Sequence, residues 1–106
     1  MNMKKYFELM DVLNDGFDNE KRMIIQWNNG LLVRCSSITG EYETDTDPGD
    51  EDYIGEYAAT IGDVEVIESG TDESVLIYHD CIEISLKCIP QKIMLEDGTV
   101  LWKSQE

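Results

Sequence analysis

His79 is the only histidine of this 106-residue chain, and in Tyr78-His79-Asp80-Cys81 it offers a His-Asp or Cys-His pair for acid–base or nucleophilic chemistry. Adjacent strand residues point to opposite faces, which groups His79 with Cys81 and turns Asp80 away. The plain reading is a strand-end histidine beside a turn, so no catalytic residue is assigned. Cys88 falls on the apolar side of its segment and reads as an inert core thiol, whereas Cys81 shares a face with Glu83 and Lys87. Cys35, Cys81, His79 and an acid add up to four zinc ligands, but no spacing supports such a site. Three cysteines, odd in number and without a C-x-x-C pair, argue against a disulfide framework and fit a reducing cytoplasm.

Calcium is the second chemistry the residue types suggest. Asp45-x-Asp47 opens like an EF-hand loop, and Glu56 occupies the position of its closing bidentate carboxylate. The match fails in the middle, where Gly49 replaces an acid, Asp50 replaces the required glycine and Pro48 stiffens the chain between. Asp45, Asp47 and Glu56 are thus weak calcium candidates, and no cofactor is expected. No phosphate-binding glycine loop, G-x-S-x-G elbow, H-E-x-x-H helix or dinucleotide fingerprint occurs.

What the sequence does concentrate is charge. The formal charge is -15, from 23 acids and 8 bases, yet residues 1–40 carry five of each and residues 74–106 five acids and three bases. Residues 41–73 therefore hold 13 acids and no base. Such a surface repels phosphate backbones and anionic lipid, and favours a basic partner. The expected role is a non-enzymatic protein-interaction module that docks a basic partner through residues 41–68. The candidate contacts are Glu41, Tyr42, Glu43, Asp45, Asp47, Asp50, Glu51, Asp52, Glu56, Asp63 and Glu65. Tyr42, Tyr53 and Tyr57 combine apolar area with a polar tip, and Tyr42 stands out because a loop position would leave it free to make contacts. Extended residues two apart, such as Asp63 and Glu65, lie ~6.5–7 Å apart, close to the interval between phosphates on one strand, which permits nucleic-acid mimicry. The alternatives are a ligand- or metal-binding β-barrel and a homo-oligomeric assembly subunit.

The elements that must position these residues follow from periodicity. Met3, Tyr6, Phe7, Met10 and Leu13 form one helical face, and Asn14-Asp15-Gly16 reads as its stop, giving a helix over residues 1–14. From residue 22 to 103 the period is two. Met23, Ile25 and Trp27 alternate with polar residues, and Asn28-Asn29-Gly30 turns the chain into Leu31–Ile38. An acidic loop covers residues 41–52. Residues 53–60 and Asp63–Glu68 follow, the latter with acids outward and valines inward. Residues 75–78 are apolar on both faces and predict a central strand, and Ile82, Ile84, Leu86 and Cys88 predict a half-exposed one. Pro90 marks an edge, bulge or strand start, and Glu96-Asp97-Gly98 closes the last hairpin. The composite is a single mainly β (α+β) domain: an amphipathic helix followed by an antiparallel meander of seven or eight strands, rolled into a small barrel or sandwich. No apolar run is long enough to span a bilayer, and Glu8 and Asp11 interrupt any signal-like segment.

Overall fold

The computed structural model describes residues 3–28, 30–70, 75 and 77–104. It contains an N-terminal helix, α1 (Met3–Asp18), and, among the described residues, nine strands. These are β1 (Met23–Gln26), β2 (Leu32–Cys35), β3 (Ser37–Glu43), β4 (Tyr57–Gly62), β5 (Glu65–Glu68), β6 (Ile77–Tyr78), β7 (Cys81–Ile84), β8 (Lys92–Leu95) and β9 (Val100–Lys103). All pairings among the described residues are antiparallel. One sheet has the order β5-β2-β1-β8-β9 and the other β3-β4-β7-β6. The arrangement is sandwich-like rather than a closed barrel. It is also not a simple meander, since β1 pairs with β8, β2 with β5 and β4 with β7.

A bent ribbon links the two sheets. β2 and β3 are separated only by Ser36, and their partners β5 and β4 only by Asp63 and Val64, so both strands of one long hairpin leave the first sheet and enter the second together. The Ser36 N–H donates to the Gly62 carbonyl at 3.4 Å across the bend. Between the sheets lie Met23, Ile25, Val33, Cys35 and Ile93 from one side and Ile38, Ala59, Ile61, Ile82 and Ile84 from the other. Burial of this apolar area is the main stabilising term.

The helix closes the sandwich with Tyr6, Leu9, Met10, Leu13 and Gly16, not with the face read from sequence. Met3 and Phe7 are half exposed, and Leu9 takes the inward position. Nor does Asn14-Asp15-Gly16 stop it. The Asn14 side-chain carbonyl accepts from the Glu41 N–H at 2.7 Å, satisfying a donor on the edge of β3, and Gly16 lies so close to the sheet that a Cβ there would stand 2.6 Å from Met23 Cε. The helix ends four residues later in a Schellman motif: Glu20 adopts φ 52°, its N–H reaches the Phe17 carbonyl, and the Lys21 N–H reaches Gly16 at 3.0 Å. Residues with local stop chemistry were recruited to tertiary contacts instead.

Two further strand readings change. The segment expected to be central supplies β6, two exposed residues at a sheet margin, with Leu76 outside the described residues. On β5, Val66 is exposed and does not face inward, whereas Val64, just before the strand, packs against the core as read.

Buried ionisable groups make the fold sensitive to alkali. Burial pushes the Cys35 thiol from 9.0 up to about 11, and burial, followed by the nearby Glu83 and Glu41 carboxylates, pushes the Tyr6 phenol above its ordinary 10.0. Both groups are neutral when protonated, so their contribution is complete below the unfolded values and is lost as pH rises through the folded ones. Denaturation midpoints are expected to hold up to pH 9.0 and to fall above it. Cys35→Ala should flatten the fall between 9.0 and about 11, which urea titrations at stepped pH would show.

Candidate functional site

The acidic segment is the tip of the bent ribbon. Glu41, Tyr42 and Glu43 belong to β3, and the connection to β4 runs over residues 44–56, later than the loop predicted at 41–52. Its neck is closed by the Thr44 N–H donating to the Glu56 carbonyl at 3.0 Å. The Thr44 hydroxyl also donates to the Gly55 carbonyl, and Thr46 Oγ1 joins it at 3.1 Å while accepting from the Ile54 N–H at 3.3 Å. Successive bonds from Asp50 to the Asp47 carbonyl and from Tyr53 to the Asp50 carbonyl fold the far end. The base is tied to the chain after β7, where the Leu86 N–H donates to Ile54 at 2.9 Å and Lys87 Nζ to the Glu51 carbonyl at 3.0 Å. Gly55, at φ 105°, permits this approach, because a Cβ there would stand 3.0 Å from Leu86 Cγ. The loop's own threonines and backbone hold it in shape, leaving Asp45, Asp47, Asp50, Glu51, Asp52 and Glu56 exposed.

Tyr42 lies on a strand, half-buried, rather than in a loop. Between the pairs Ile38↔Ile61 and Glu41↔Ala59, Thr39 and Gly40 together oppose Thr60 alone, which is a β-bulge with Gly40 at φ 75°. The extra residue inverts the alternation. Tyr42 leaves the face of Ile38 and joins that of Thr60 and Glu83, laying its ring across β4 toward β7. Its hydroxyl donates to Glu83 Oε2 at 2.5 Å, which leaves the Thr60 hydroxyl, 2.8 Å away, to donate to Tyr42. Burial first, then the bond to Glu83, raises the Tyr42 pKa. Thr60 and Glu83 were absent from the sequence-derived set, since no local pattern links residue 42 to residue 83. Gly40 inside a strand was the available signal. Gly40→Ala is expected to cost about 1–3 kcal/mol, from left-handed backbone strain and a Cβ 3.1 Å from Asn14 Oδ1. A denaturant midpoint comparison checks it.

The remaining candidates are placed apart from the tip. Asp63 sits at the ribbon bend with φ 50°, outside β5, so Asp63 and Glu65 do not form the evenly spaced extended row that phosphate mimicry was read from. Glu65 faces Arg34 across the strands at 3.6 Å. His79 and Asp80, with φ 50° and 62°, are the two central residues of the tight turn joining β6 to β7. The face argument based on a strand end does not apply to them. His79 packs edge-on against Tyr78 with ring centroids 4.2 Å apart, and both are exposed. Cys35 and Cys88 are buried and Cys81 half-buried. Among the described residues no three His, Cys, Asp or Glu side chains assemble into a metal-binding group, and Asp45, Asp47 and Glu56 do not converge. Among the described residues no helix is long and apolar enough to cross a membrane.

The sequence model of one protein family, described as "Cognate immunity protein YxxD", matches residues 3–106. The chain belongs to this family. Comparisons with curated proteins and with solved structures give no match. Membership in an immunity family means a protein partner, the toxin, and so makes the chain an interaction module. In this YxxD family member the acidic ribbon tip is exposed, and the face built on Tyr42 and Glu83 adjoins it.

Proposed function

We propose that this immunity protein neutralises its toxin by docking the acidic ribbon tip, residues Glu41–Glu43 with Asp45, Asp47, Asp50, Glu51, Asp52 and Glu56, onto a basic surface of the toxin. One observation carries the reading: residues 41–56, with eight acids and no base, are folded as the end of a two-sheet ribbon, with their carboxylates in solvent. Dense negative charge on a preorganised loop speeds encounter with a basic partner and orients it. Tyr42 is half-buried at the margin of the charged area, and would add apolar contact where water is excluded. The odd number of cysteines, with no C-x-x-C pair, supports action in a reducing compartment, the cytoplasm.

The test is the affinity for the purified cognate toxin measured across ionic strength. The association rate constant is expected to fall steeply as salt rises while the dissociation rate changes little. An association rate indifferent to salt removes the basic-partner reading.

A further inference from the structure

Strand β5 forms one margin of the five-stranded sheet, and among the described residues it pairs with β2 alone. All four of its residues are exposed, with 44% of Val66 and 41% of Ile67 in solvent. Unpaired backbone groups beside exposed β-branched side chains are a template for another strand. Glu-Val-Ile-Glu contains neither of the residues that most often blunt an edge, lysine and proline, and its irregularity is one extra residue, Ile67, between the pairs Leu32↔Glu68 and Val33↔Val66.

Its charges sort the strands that can add. In an antiparallel pairing of two copies centred on Val66 and Ile67, Glu65 of each copy would oppose Glu68 of the other, and like charges directly opposite destabilise a pair. A strand with Lys or Arg at those two positions replaces both repulsions by attractions. Arg34 already flanks Glu65 from β2, but that carboxylate remains largely exposed on its other side. The neighbourhood adds to both requirements. The Val64 N–H donates to the Asp80 carbonyl at 3.0 Å, which places the β6–β7 turn beside the start of β5 and brings exposed Asp63 and Asp80 with it. On β6, Ile77 and Tyr78 are 47% and 73% exposed, a further apolar area at the same open side.

We propose that β5 is a strand-addition site for the toxin: an extended segment with two apolar residues between two cationic ones pairs antiparallel along Glu65–Glu68. Its cations meet the two glutamates, and its apolar side chains pack on the exposed Val66 and Ile67. Backbone bonds supply affinity that salt does not screen, and the flanking charges fix the register. This rests on the reading that the toxin presents a basic surface, and it assigns a second, separate contact to it.

The experiment compares the Val66→Ser, Ile67→Ser double variant with wild type, using the cognate toxin, and follows backbone amide exchange of β5 in the free protein and in the complex. Both side chains are exposed, so the fold should tolerate the change. Affinity is expected to fall at least about tenfold with the slope against salt unchanged, and the β5 amides to exchange more slowly in the complex. Among overlapping peptides tiling the toxin, the one that slows β5 exchange should carry an apolar pair between basic residues. Unchanged β5 exchange in the complex overturns strand addition even if affinity drops. If the double variant binds normally while removing the tip carboxylates abolishes binding, the acidic docking stands and the β5 site is rejected. If neither change affects binding, the docking reading itself fails.

Discussion

Replacing Asp45, Asp47, Asp50, Glu51 and Asp52 by their amides is expected to weaken toxin binding by about a hundredfold at low salt. Each exposed ion pair contributes ~0.2–1 kcal/mol, so five together span ~1–5 kcal/mol, and about 3 kcal/mol corresponds to a little over a hundredfold. The loss should appear first in the association rate and shrink as ionic strength rises, since added salt screens in wild type what the amides remove. The fold is not at stake. The loop is held by Thr44, Thr46 and main-chain groups, and the one carboxylate that accepts a bond inside it, Asp50 from the Asp47 N–H at 3.4 Å, keeps an acceptor oxygen as asparagine. A surface-binding kinetic series on the five-site variant provides the check. Wild-type association at low salt would end the case for the tip.

Leu13→Ala is expected to have the largest effect on stability, about 2–5 kcal/mol. Leu13 is fully buried between α1 and the sheets. The helix has little strength of its own: no acid lies in its first turn and no base in its last, so its end charges do not complement the macrodipole. Docking holds it, through the buried side chains, through the Tyr6 hydroxyl donating to the Tyr57 carbonyl at 2.5 Å, and through Trp102 Nε1 donating to the Lys5 carbonyl at 3.1 Å. A cavity at Leu13 loosens all of these, and with them the Asn14 contact that satisfies the edge of β3. The midpoint of urea unfolding measures the change. Phe7→Ala, on a half-exposed residue, is the control and should move the midpoint far less.

The contrast between Leu13 and Phe7 shows what was legible in the sequence. Period-two alternation and the Asp97-Gly98 turn gave the mainly β class and the last hairpin, because those signals are local. The helix was legible as an element but not in its facing, since Phe7 and Leu9 fit two overlapping apolar stripes and only the sheet selects between them. Asn14-Asp15-Gly16 and residues 75–78 misled for the same reason. Propensity reports what a segment does alone, while Gly16 answers to Met23, and Ile77 to its place at a sheet margin. At the candidate site the carboxylates could be found by counting. The inversion that brings Tyr42 to Glu83 could not, because it depends on one extra residue in β3 and on a partner 41 positions away.

The strand order also governs when the molecule can finish folding. Both sides of the bent ribbon lie within residues 32–68 and can zip from their own tip, whereas β1 must wait for β8, where Ile25 pairs with Ile93. During synthesis the acidic hairpin therefore leaves the ribosome complete while the first sheet still lacks β8 and β9, and the chain spends that interval with one edge of β1 unpaired. Dense negative charge on that hairpin repels the same charge on a neighbouring chain. The carboxylates proposed to dock the toxin thus lie in the part of the chain that completes its pairing before the C-terminal hairpin arrives.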